Sequence, residues 1–150
     1  MKLQGMSAIV TGADAGIGKA IAQRLAADGA SVALLDITDA TATAADIARG
    51  GARIIAVKCD VSSEADVNAA VEKTVSAFGR VDILVNNAAM TAPPRPFDQI
   101  STEEWQRMMA VNTLGPFMLS RACAPHMRKL KRGRIINVVS ATFHQGVPFL

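Results

Sequence analysis

The sequence predicts a doubly wound α/β domain built on a parallel sheet. Two observations carry this reading. Short runs of almost continuously apolar residues alternate with stretches whose apolar side chains recur at helical spacing. Gly- and Pro-rich punctuation separates the two kinds of segment. Strands buried on both faces by helices show this pattern, whereas half-solvated strands alternate polar and apolar residues.

The elements follow in order. Ser7-Ala8-Ile9-Val10 reads as a buried first strand ahead of a Gly-rich turn, and Ile17, Ile21 and Leu25 mark a helix to about Ala27, ended by Gly29. Ser31 to Leu35 is a second strand that runs into Asp36. The Ala-rich stretch from Asp39 to Ala48 reads as a helix closed by Gly50-Gly51, and Arg53 to Lys58 as a third strand. Ser62 to Phe78 carries Val67, Val71 and Val75 on one face and stops at Gly79. Ile83-Leu84-Val85 is a fourth strand, followed by a Pro-rich loop from Thr91 to Pro96. Ser101-Thr102-Glu103-Glu104 is a capping box that opens a long helix, which Pro116 is expected to bend. Arg134 to Val139 is a fifth strand.

With 150 residues the chain suffices for one domain and is too short for two ordinary ones. No apolar run approaches the ~20 residues of a membrane span. The N-terminus lacks the apolar core and cleavage region of a signal peptide, so a cytoplasmic, soluble protein with no membrane partner is expected. Cys59 and Cys123 lie far apart, the chain has 2 histidines, and its acidic residues form no compact cluster. Neither a disulfide framework nor a metal centre is indicated. The net charge is +3, with one basic cluster at Arg128, Lys129, Lys131, Arg132 and Arg134. It reads as a helix C-terminus stopped at Gly133, not as a nucleic-acid patch, because no stacking aromatics accompany it. The chain contains no tyrosine.

The chemistry-bearing constellation begins with Thr11-Gly12-Ala13-Asp14-Ala15-Gly16-Ile17-Gly18, between a strand and a helix. A glycine-rich turn there lets the backbone approach a pyrophosphate, and the helix N-terminus offers free N–H groups to the anion. Asp36 ends the second strand, 18 residues after Gly18. A carboxylate at that place can accept from the hydroxyls of an adenosine ribose and repels a 2′-phosphate. Ala13, Ala15 and Ile37 supply no cation for such a phosphate, and Asp14 adds negative charge. NAD is therefore expected, with NADP less favoured.

The motifs Thr11-Gly12-x-x-x-Gly16-Ile17-Gly18, Cys59-Asp60-Val61, Asn86-Asn87-Ala88-Ala89, Val111-Asn112 and Ile135-Ile136-Asn137-Val138-Val139-Ser140 occur together in one order and spacing. In this the chain resembles the short-chain dehydrogenases/reductases over essentially its whole length. The resemblance implies a Rossmann-type sheet of about five strands in the order 3-2-1-4-5. It implies an oxidoreductase that interconverts an alcohol and a carbonyl compound by hydride transfer with NAD. By the same resemblance Thr11, Gly12, Asp14, Ala15, Gly16, Ile17, Gly18, Asp36, Ile37, Asp60, Val61, Asn87, Ala88, Ala89 and Val111 bind the cofactor. Asp60 and Val61 then hold the adenine, and Asn87 to Ala89 lie beside the nicotinamide half. Ala89 replaces the glycine usual in that motif. Ser140 and Asn112 are the implied catalytic residues: the serine bonds the substrate oxygen, and the asparagine distorts its helix and holds a water through its carbonyl.

The resemblance also implies a tyrosine about a dozen residues past the serine and a lysine four further on, and neither occurs in that context. The expectation is a nucleotide-binding domain over residues 1–150 that stops before this pair, with strand five left as an open edge and Ile135, Ile136, Val138 and Val139 uncovered on one side. Such a piece is expected to be inactive alone and part of a homodimer or homotetramer when complete. His144 is read as a loop residue rather than a substitute acid/base. The alternatives are an NADP-linked carbonyl or oxoacyl reductase, and a non-catalytic nucleotide-binding module.

Overall fold

The computed structural model describes residues 2–140. Five parallel strands, β1 (Ser7–Thr11), β2 (Ser31–Asp36), β3 (Ile54–Lys58), β4 (Ile83–Asn86) and β5 (Arg134–Asn137), form one sheet in the order β3-β2-β1-β4-β5. The helices are α1 (Gly16–Ala27), α2 (Thr41–Ala48), α3 (Glu64–Phe78), α4 (Thr102–Met109) and α5 (Gly115–Lys129). The architecture is the expected Rossmann type.

Successive strand residues point to opposite faces, so an unbroken apolar strand feeds two cores at once. Ile9, Leu35 and Leu84 pack on one face with Val67 of α3 and Leu119 of α5. Val10, Leu34 and Val85 pack on the other with Ala22 of α1 and Ile47 of α2. Each such Leu, Ile or Val buried contributes roughly 1.5–3 kcal/mol. Alternation is absent because neither sheet face meets water in the centre.

Several boundaries differ from the sequence reading. Helix α2 starts at Thr41 because Asp39 Oδ1 accepts from the Thr41 N–H (3.0 Å) and hydroxyl (2.5 Å), holding residues 39–41 in a turn. Helix α3 starts at Glu64, since Ser63 is the N-cap and accepts from the Asp66 N–H. The predicted long helix is two helices joined by a π-helical turn, Ala110–Leu114. Pro116 lies in the first turn of α5, directly after the π-helical turn, to which it has no N–H to donate. Pro125, inside α5, had not been singled out. Helix α5 is not stopped by Gly133. Lys131 takes the left-handed conformation (φ 52°), and the Arg132 N–H closes back onto the Met127 carbonyl (3.2 Å).

Strand β5 ends at Asn137 rather than Val139, though the Val138 N–H still donates to the Asn86 carbonyl (2.9 Å). Among the described residues β5 pairs only with β4, and Ile135, Ile136, Val138 and Val139 are exposed.

Opposite the strands' C-terminal ends, Asp82 fastens three segments. It is 3% exposed. Its Oδ2 accepts from the Ser7 N–H (2.9 Å) and Arg80 Nε (2.7 Å), and its Oδ1 from Arg80 Nη2 (2.7 Å) and Arg132 Nε (3.2 Å). Burial pushes this carboxyl up. The Arg80 and Ser7 hydrogen bonds, with the charges of Arg80 and Arg132, outweigh burial and hold it below the usual carboxylate range. A folded pKa below the unfolded one, about 3.9, adds stability that is present above that pH and disappears as pH falls through the lower folded value. Asp82→Asn should therefore cost about 1–3 kcal/mol at neutral pH, discounted because both arginines are partly solvated. Urea unfolding at several pH values checks this: the deficit should shrink below about pH 4.

Candidate functional site

All five strands run in parallel, so their C-terminal ends share one edge of the sheet. The strand order reverses direction between β1 and β4, and the loops after these strands part there into a crevice. A cleft of about 510 Å³ opens at this edge, lined in part by Gly12, Asp36, Ile37, Asp60, Val61, Ala88, Ala89 and Val111. Eight residues singled out from the sequence thus meet at one place.

The crevice is held by hydrogen bonds between the turns after β1 and β4. The Thr11 hydroxyl accepts from the backbone N–H groups of Asn87 and Ala88, both at 2.9 Å. The Asn87 side-chain amide donates to the Thr11 carbonyl (2.9 Å) and the Gly12 carbonyl (3.2 Å). Thr11 is 1% exposed, and Gly18 is also buried. Both were expected among the cofactor-binding residues, and in the structure the Thr11 side chain shapes the turn while Gly18 makes room for it. A Cβ on Gly18 would lie 2.0 Å from the Gly12 oxygen and 2.6 Å from Asn87 Nδ2.

Gly12 and Gly16 both have positive φ, 60° and 54°. A Cβ on Gly12 would come within 3.0 Å of Ala88 Cα, whereas one on Gly16 meets nothing within 4 Å. The backbone at Gly16 therefore borders open space. Helix α1 begins there from Ala15 with no capping side chain, so its first N–H groups and dipole are left for an outside acceptor. Ala15, Gly16 and Ile17 are exposed beside this opening. The chemistry suits an anionic diphosphate.

Asp36 faces the cleft with its carboxylate already oriented. Oδ2 accepts from the Asp14 N–H (3.0 Å), and Oδ1 from the Thr38 N–H (3.1 Å) and hydroxyl (2.9 Å). A carboxylate has about four acceptor sites, so capacity remains for a sugar hydroxyl. Asp60 Oδ1 accepts from the Ser62 hydroxyl (2.6 Å) and N–H (2.9 Å). The Ser62 hydroxyl and then its N–H hold Asp60 below the usual carboxylate range, with a smaller contribution from the charge of Arg107. Cys59 also lines the cleft, but burial, followed by the charges of Asp66 and Asp60, pushes its thiol up to about 11. It is a packing group rather than a nucleophile.

Asn112 lies in the π-helical turn and clasps the backbone of Met90. Its Oδ1 accepts from the Met90 N–H and its Nδ2 donates to the Met90 carbonyl, both at 2.8 Å. Its side chain thus fixes the loop after β4, while its main chain belongs to a segment whose hydrogen bonding is irregular. Ser140 is exposed three residues beyond the end of β5. His144 lies outside the described residues.

Sequence reasoning missed Leu35, Cys59, Ser62 and Arg107 as lining residues. Two carried a signal. Arg107 precedes Val111 by four residues and so shares its side of the helix. Ser62 follows Asp60 by two, the spacing of an Asx turn. Among the described residues no group of three or more His, Cys, Asp or Glu side chains could hold a metal ion, and no helix is long and apolar enough to cross a membrane.

With this geometry the relationship to known proteins is specific. The family model described as short chain dehydrogenase matches residues 6–150, and the chain belongs to that family. An uncharacterized oxidoreductase of Thermotoga maritima is 40% identical over 97% of this chain and 57% of its own length. A crystal structure of NAD+-bound xylitol dehydrogenase superposes with a TM-score of 0.94 at 33% identity, covering 99% of this chain and 58% of that one. A metagenomic short-chain oxidoreductase in complex with NADP gives a TM-score of 0.89 at 38% identity, covering 93% and 64%. The chain thus spans somewhat more than half the length of these relatives.

The glycine contacts generate a paired prediction. Gly18→Ala should destabilise the fold by about 1–3 kcal/mol or more, because the added methyl meets backbone. Gly16→Ala should cost only about 1–2 kcal/mol, from its left-handed φ alone. Urea unfolding of the two variants measures the difference, and equal losses would contradict the steric account of Gly18.

Proposed function

We propose that this chain is the nucleotide-binding domain, residues 1–150, of an NAD-dependent oxidoreductase that interconverts an alcohol and a carbonyl compound. The observation that carries this reading is the oriented Asp36 carboxylate at one end of a cleft whose other border is the uncapped, glycine-lined start of α1. When bound, the nicotinamide nucleotide supplies a two-electron carrier. The chain's own residues do the rest. The backbone of Gly12, Asp14, Ala15, Gly16 and Ile17 borders the diphosphate. Asp36 accepts from the adenosine ribose, and Ile37 flanks it. Asp60, Val61 and Val111 enclose the adenine, while Ala88 and Ala89 leave a flat floor toward the nicotinamide. Thr11, Gly18 and Asn87 act on this site through the turn they hold.

Ser140, at the C-terminal side of β5, orients the substrate oxygen. Asn112 keeps the π-helical turn and the Met90 loop together, leaving a main-chain carbonyl for an ordered water. A small-molecule substrate, a cytoplasmic setting and a homo-oligomeric whole protein complete the proposal.

The NADP-bound relative keeps the alternative cofactor in play. NADPH carries a doubly negative 2′-phosphate, which the Asp36 corner repels. Fluorescence titration tests the assignment. NADH should bind at least about tenfold more tightly than NADPH, and Asp36→Ala with Ile37→Arg should reverse the order by a further tenfold or more. Equal binding of the two nucleotides by the unmodified protein would refute the NAD preference. Binding of neither would refute the nucleotide site itself.

A further inference from the structure

Arg107 rises from α4 on the same side as Val111 and lines the cleft with it. It is the only cation among the described residues that line the cleft, which also holds the carboxylates of Asp36 and Asp60. No aromatic side chain is among those lining residues. A planar ligand group in this cleft therefore finds aliphatic walls at Leu35, Ile37, Val61 and Val111 and one flat cationic group, the Arg107 guanidinium.

That guanidinium is exposed and has no fixed partner. Among the described residues it forms no ion pair, whereas Arg80 and Arg132 share Asp82, Arg95 holds Glu104 and Arg121 holds Glu64. Glu103 stands four residues before Arg107, a spacing at which ion pairs form on a helix. Its carboxyl is instead held below the usual range by its own N–H and then by the Ser101 hydroxyl. The helix dipole does not account for the charge either. Helix α4 runs through the π-helical turn into α5, so no free C-terminal end lies at Arg107. The acidic group that its charge does reach is Asp60, on the cleft wall.

We infer that Arg107 is a nucleotide-binding residue whose guanidinium stacks on the outer face of the adenine and closes that end of the cleft. The inference rests on the nucleotide-site reading above. A purine has two faces. The aliphatic walls take one, and in a cleft without aromatic lining the other is left to water unless a planar side chain covers it. A guanidinium is planar and weakly hydrated, and it stacks on base faces. The charge of Asp60 draws it toward the cleft, and no ion pair has to break for it to move onto the base. Arg107 acts on the adenine, apart from the Asp36 corner and the start of α1.

The test is a titration of NADH and ADP-ribose against the unmodified protein, Arg107→Met and Arg107→Lys. Methionine removes the plane and the charge, and lysine removes the plane alone. Arg107→Met should weaken both ligands by roughly three- to thirtyfold, and Arg107→Lys by nearly as much. The factor should change by less than about twofold between about 20 mM and 500 mM salt, because a stacked contact is screened far less than an open charge. The melting temperature should not move, since Arg107 is exposed and unpaired. In the NADH complex a nuclear Overhauser contact should join the Arg107 δ-methylene protons to adenine H2 or H8. Should Arg107→Met fold poorly, the lysine variant and this contact carry the test. Unchanged affinity in both variants, or no such contact, overturns the inference and leaves the nucleotide site standing. So does a loss that lysine restores and salt removes, which would assign the charge to the diphosphate, or a loss seen with NADH and not with ADP-ribose. Failure of the unmodified protein to bind either ligand overturns the nucleotide site as well.

Discussion

Four hydrogen bonds between Thr11 and Gly12 on one side and Asn87 and Ala88 on the other determine the shape of the cleft. They join the turn after β1 to the turn after β4 across the point where the strand order changes direction. Without them the Gly12 carbonyl would be free to rotate, and the close seat of Gly18 beneath it would have no purpose. With them, the glycine turn is pressed against Ala88, and its outer side, at Gly16, is left open beside the start of α1. The geometry of the cleft is therefore set in large part by the buried Thr11 and by the side-chain amide of Asn87, neither of which lines it. Positive φ at Gly12 and Gly16 and the lack of space at Gly18 are two different demands that the three glycines meet.

The fold was largely legible because it rests on patterns that survive in one dimension. Apolar runs such as Ile9-Val10 and Leu34-Leu35 announce strands covered on both faces, and the two core clusters divide these pairs between opposite faces. Boundaries were less legible because local hydrogen bonds move them. The Asp39 turn onto Thr41 shortens α2, and the left-handed Lys131 ends α5 before Gly133 can. The π-helical turn before Pro116 shows why a proline alone misleads. The irregular bonding falls in the turn ahead of the proline, not at the proline itself.

The site was legible residue by residue but not role by role. Asp36, Asp60, Ala88 and Val111 line the cleft as their motifs suggest. Thr11 and Gly18 belong to the same motif, yet sequence cannot tell a residue that touches a ligand from one that shapes the turn. That distinction depends on burial. Contacts such as Thr43 to Asp14, 29 residues apart, leave no periodic trace at all. Asn112 shows the same ambiguity in a helix: an amide that would compete with backbone bonds in a regular helix here clasps Met90 and steadies the loop next to the cleft.

The central claim is that the Thr11–Asn87 junction presents an open, glycine-lined helix start to a diphosphate while Asp36 takes the adjoining sugar. A crystal structure of the protein grown with NADH tests it most directly. The account predicts diphosphate density over Gly16 within hydrogen-bond reach of the first N–H groups of α1, and a ribose hydroxyl on Asp36. A nucleotide seated elsewhere, or a cleft filled by its own side chains, would contradict it.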